Sequence, residues 1–173
     1  MTNRDNTWAL RAMTWLTDWT TSWASLYANS PSLRTIITFV HLGALIGGGG
    51  LAIATDRSVL APVLEEDDWS RRALLDAVGA SHRLVIVAVV LMIASGMLML
   101  AADVDTYLYS RMFWLKMALF AMLLGNGAVL TRAERRALGH DASAWRRLRR
   151  AAIASIALWF LTTLAGVALP NIG

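Results

Sequence analysis

Four uninterrupted apolar stretches dominate this chain, each long enough to cross a bilayer as a helix, which takes about 20 residues at ~1.5 Å rise. They cover residues 35–54, 84–102, 112–131 and 151–169, with Pro170 expected to stop the last. Lys116 is the single charged residue inside them. The runs do not alternate apolar with polar, so they read as helices rather than barrel strands. The expected fold is therefore all-α: an integral membrane four-helix bundle over residues 34–173, preceded by a distinct segment, 1–33. Composition agrees, with 57% hydrophobic and 16% charged residues in a chain of 173. The absence of cysteine excludes disulfides, Cys-ligated zinc, iron–sulfur clusters and thiol catalysis.

The connecting segments predict an orientation. Face A is the side that holds the N-terminus, the connection between the second and third spans, and the C-terminus. Face B holds the other two connections. Face A carries four arginines (Arg4, Arg11, Arg34, Arg111), and face B carries the other eleven. The positive-inside rule then puts face B in the cytoplasm and both termini outside. The net charge of +4 is on this reading a topology signal, and nucleic acid is not an expected partner. No cleavable leader is expected; the first span would serve as its own insertion signal.

Two segments outside the spans are informative. Residues 7–29 carry Trp8, Trp15, Trp19 and Trp23, the last three at four-residue spacing and so on one helical face. This predicts an amphipathic helix in the face-A interface, where indoles sit well, and a possible docking surface for a partner subunit. On face B, residues 56–83 include the acidic run Glu65, Glu66, Asp67 and Asp68 and are net −2, whereas residues 132–150 are net +5. Lipid headgroups and mutual attraction are the expected partners of these loops.

The residues able to carry chemistry are few. Gly43, Gly47 and Gly50 form a small-residue face on the first span, suited to close helix packing. Gly47 and Gly48 would also let a flat cofactor approach. His41 is the one histidine deep in a span, and an intramembrane ionisable residue is by default a functional candidate. Met97 and Met117 lie at similar depth, and a His–Met–Met set would suit Cu(I). The alternatives are haem, or a His41 hydrogen-bonded to Thr162 or a backbone carbonyl. His82 and His140 stand some 20 Å of helix rise away, so bis-histidine haem with His41 is disfavoured. Lys116 is expected to snorkel towards Asp103 and Asp105, and Asn126 to hydrogen-bond across the bundle. No Ser–His–Asp set, phosphate loop, HExxH or paired carboxylate is present in the spans, which argues against hydrolase and nucleotide chemistry.

Taken together, His41 with its glycine cluster, Gly96 in the second span, the segment Phe113-Trp114-Leu115-Lys116-Met117 and the basic lead into the fourth span resemble the four-helix membrane unit of the CopD copper-resistance family and related bacterial membrane proteins. The resemblance covers about residues 33–170. It implies a bacterial inner-membrane protein associated with copper passage, with His41 as the residue to test. Against it stands elimination: no catalytic set, and two unusual packing surfaces. That pattern predicts a non-catalytic accessory subunit, in contact with lipid and with other membrane-protein subunits, of a larger complex such as a respiratory or photosynthetic electron-transfer assembly. A quinone- or porphyrin-type redox enzyme with Lys116 as an electrostatic contact is the third reading.

Overall fold

The structure, a computed structural model, describes residues 19–60, 68–137 and 142–172, with the backbone alone at 68–75, 142 and 172. Trp8, Trp15, the acids 65–67 and His140 lie outside the described residues. The fold is an all-α membrane bundle. A helix over residues 19–29 (α1) leads into α2 (Pro31–Val59), α3 (Asp68–Ala102), a single short α4 (Val104–Tyr109), α5 (Arg111–Ala137) and α6 (Ala142–Ile172). Four of these, α2, α3, α5 and α6, are long and apolar enough to span a membrane. Their outward side chains, among them Phe39, Ile46, Phe160 and Val167, are exposed on the outside of the bundle.

The helix starts follow local chemistry. Ser30 caps α2, accepting from the Leu33 N–H at 3.4 Å, and Pro31 occupies the first turn, where its missing N–H costs nothing. Asp103 caps α4 through the Thr106 N–H, and Ser110 caps α5 through the Phe113 N–H. Pro170 does not end α6 as expected; the helix continues to Ile172 with the proline inside its last turn.

On face B the helices run well past the apolar windows, because the best-packed core lies there. Val59, Val78, Leu130, Ala133, Ala137, Ala144, Leu148, Ala151 and Ala152 form one buried cluster, with Leu148 and Ala152 fully enclosed. A second cluster, Ala44, Met92, Leu123 and Trp159, fills the middle.

Helix α2 is central, packing on α3 and α6, while α5 packs on α6. The α2–α3 seam repeats every seven residues: His41 meets Ser95, Gly48 meets Ala88, and Thr55 meets Ser81. Small residues on that period let two antiparallel helices approach closely at the shallow angle of coiled-coil packing. Gly48 is obligatory there, since a Cβ would collide with that of Ala88. Across α2, Gly49 lies under the Trp159 ring, with an added Cβ only 3.0 Å from it.

At face A the tryptophan helix is tied down. The Trp23 indole N–H donates to the Leu98 carbonyl of α3 at 2.9 Å, and Trp19 stacks on Trp23 at 6.5 Å. Tyr27, Tyr107, Phe113 and Trp114 extend the aromatic layer, and Trp114 donates to the Leu108 carbonyl.

Candidate functional site

His41 reaches its place because the seven-residue seam carries it against α3. Its Nδ1 stands 3.0 Å from Ser95 Oγ. That hydroxyl also lies 2.7 Å from the Leu91 carbonyl, so its one proton is committed to the backbone and its lone pair faces the imidazole. The same hydroxyl also lies 3.2 Å from the Met92 carbonyl, a second backbone acceptor for its proton. With its proton given to the backbone, the Ser95 oxygen accepts, so the imidazole proton is on Nδ1. The lone pair of the neutral ring is therefore on Nε2, which has no hydrogen bond among the described residues. Gly96 makes the notch for the ring: a Cβ there would stand 3.3 Å from His41 Cε1. The partner is thus Ser95 with a carbonyl beside it, rather than Thr162.

Lys116 of α5 is near enough for its charge to act on His41. It does not turn to Asp103 or Asp105. Asp103 is engaged as the cap of α4, and the Lys116 Cε and Nζ rest against Gly166 of α6, 3.6 and 3.7 Å from where a Cβ would be. Pro170 has no N–H for the carbonyl four residues back, which belongs to Gly166. One turn away, the Thr162 hydroxyl is buried with no partner among the described residues. Lys116, Thr162 and His41 thus bring polar groups from three helices to the face-A half of the bundle.

The thioethers are placed differently. Met97 is 59% exposed on α3, and Met117 is half-buried on α5. Among the described residues no group of three or more His, Asp or Glu side chains converges. Asn126 does hydrogen-bond across the bundle, donating to the Ala151 carbonyl at 2.9 Å.

The glycines divide into two sets. Gly48 and Gly49 are consumed by packing inside the chain. Gly43, Gly47 and Gly50 face outwards, with nothing within 4 Å of a Cβ at any of them. Flanked by the exposed Phe39, Leu42 and Ile46, they make a flattened strip along α2. At its face-A end the strip borders a shallow, open surface lined by Arg34, Thr35, Thr38, Phe39 and Leu42 of α2.

One buried group escaped the sequence reading. Asp56, in the last turn of α2, is 4% exposed near Ser155 of α6, and its Oδ2 has no partner among the described residues. It looked like a loop acid because the apolar window ends at residue 54, two residues short of it.

A model of a family of unknown function (DUF6644) matches residues 18–169. No curated protein and no solved structure matches the chain.

Proposed function

The chain belongs to the DUF6644 family of unknown function, and we propose that it is a small non-catalytic subunit that docks through the outer face of α2 onto a helix of a larger inner-membrane complex, an electron-transfer assembly being the natural host. The observation that carries this is the outward glycine strip. A glycine in a helix costs about 0.8–1.0 kcal/mol relative to alanine. Gly48 and Gly49 offset that cost by contacts within the chain, but a Cβ at Gly43, Gly47 or Gly50 would have nothing within 4 Å among the described residues. A flat small-residue strip is what a second transmembrane helix packs against most closely. The positive-inside rule places basic face B in the cytoplasm and the aromatic layer outside. The test is extraction of the tagged chain from its own membranes in mild detergent. Defined membrane-protein partners should co-purify with wild type and be lost with Gly47→Leu, whose side chain enters open space in the isolated chain.

A second reading has its own observation. The free Nε2 of His41, with its tautomer fixed from behind, is the arrangement of a ligating histidine. CopD-like copper handling, or haem binding, would use it. The Lys116 charge nearby disfavours a bare copper ion and suits a cofactor that brings negative charge, such as a haem propionate. Copper and haem content of wild type against His41→Ala tests this, and equal contents would remove it.

A further inference from the structure

The face-B ends of α3 and α5 hold a second titratable pair, and its hydrogen bonds do not close. His82 of α3 places Nε2 2.7 Å from Thr131 Oγ1. Thr131 has one hydroxyl proton, and it goes to the Gly127 carbonyl one turn back at 2.9 Å. The threonine oxygen is therefore an acceptor for His82, whose ring proton lies on Nε2. Nδ1 is left with a lone pair, and it faces Glu134 Oε2 at 4.0 Å. Two acceptors point at each other where the side chains of His82 and Glu134 are only 28% and 11% exposed. Gly79, one turn before His82, makes the room: a Cβ there would stand 3.3 Å from Glu134 Oε1. Helices α3 and α5 are not packing neighbours, so this pair and Thr131 join them largely through side chains.

We propose that His82 and Glu134 form a one-proton binding site that latches α3 to α5. Without the proton, nitrogen lone pair and carboxylate repel. With it, on either atom, the two become donor and acceptor, and the gap closes towards the ~2.7–2.9 Å of a charge-assisted hydrogen bond. Thr131 is the positioning residue that reserves Nδ1 for Glu134. Charged residues on the surrounding elements are placed as follows. Arg135 acts on Glu134 from its own helix. Asp76 and Arg83 on α3 and Arg132 on α5 are exposed. Asp56 of α2 is turned to Ser155, and Arg149 of α6 donates to the Leu60 carbonyl. The site is independent of the docking reading above and responds to the pH on face B alone.

A double-mutant cycle tests it on the full chain in detergent. Wild type, His82→Gln, Glu134→Gln and the double variant are melted at about pH 5.5 and about pH 8.5, on either side of the range where histidine ordinarily switches. The expected result is a favourable coupling of several degrees in Tm at the acid pH that disappears or changes sign at the alkaline pH, with Thr131→Val shrinking the acid coupling. Equal coupling at both pH values would overturn the proposal, as would none at either. Cycles need only differences, so a general loss of stability in one variant leaves the answer readable.

Discussion

Alanine at adjacent glycines of α2 should have opposite effects. At Gly47 an added Cβ meets nothing within 4 Å, so Gly47→Ala keeps the full gain in helix propensity, ~0.8–1.0 kcal/mol. At Gly48 the same methyl collides with the Ala88 side chain across the closest part of the α2–α3 seam. Overpacking of that kind costs about 1–3 kcal/mol and outweighs the propensity gain. For a chain of this size each kcal/mol moves Tm by roughly 2–4 °C. Gly47→Ala should therefore raise the Tm of the purified chain by a few degrees, and Gly48→Ala should lower it. Gly49→Ala, facing the 4% exposed Trp159, should also lower it. Melting in one detergent by circular dichroism or tryptophan fluorescence reads all three. If Gly47→Ala destabilised the isolated chain as much as Gly48→Ala, the assignment of inner and outer faces of α2 would be wrong, and the docking strip with it.

Further outcomes follow from the polar groups. Nitrogen-15 NMR of histidine-labelled protein should show neutral His41 protonated at Nδ1, and Ser95→Ala should mix its tautomers; a pure Nε2–H form in wild type would refute the assignment. Gly96→Ala should displace the imidazole from its notch, seen as a change in that same signal, with about 1–3 kcal/mol lost. Lys116→Met should leave Tm unchanged or raised, because no ion pair of Lys116 is present among the described residues; a loss above about 3 kcal/mol would show a buried counter-ion. Tyr107, outside the spans, is held above the ordinary phenol range by burial and by Tyr27 and Asp103. The folded state thus keeps this proton longer than the unfolded one, so stability should fall as pH rises above the ordinary value of about 10. Tyr107→Phe should flatten that fall, and an unchanged slope would contradict it.

The class of fold was legible because uncharged runs of this length have few uses outside a bilayer. The helix ends were less so. On face B the core is made of Ala133, Ala137, Ala144 and Leu148 between arginines, a helical pattern too short of large apolar residues to register as a span. Which glycines face inwards could not be read from four in a row, since at 100° per residue they point to every side of the helix. The answer depends on Ala88 and Trp159, far off in sequence. His41 was recognisable as the deep histidine, but its partner Ser95 lies 54 residues away and emerges only from the register of the seam. Lys116 was expected to snorkel to an acid, but Asp103 is engaged as the cap of α4 and the lysine lies against Gly166 of α6 instead. Asp56 and the His82–Glu134 pair were hidden for a common reason: residues just beyond an apolar window look like loop, yet the helices carry on and bury them.

The most direct test of the docking account is the native mass of the chain taken from its own membranes in mild detergent, measured for wild type and Gly47→Leu side by side. The account predicts a large assembly with co-purifying membrane proteins for wild type, and a species at the 18.9 kDa mass of the chain for the variant. A wild-type species at that mass, or at a small multiple of it, would contradict the account.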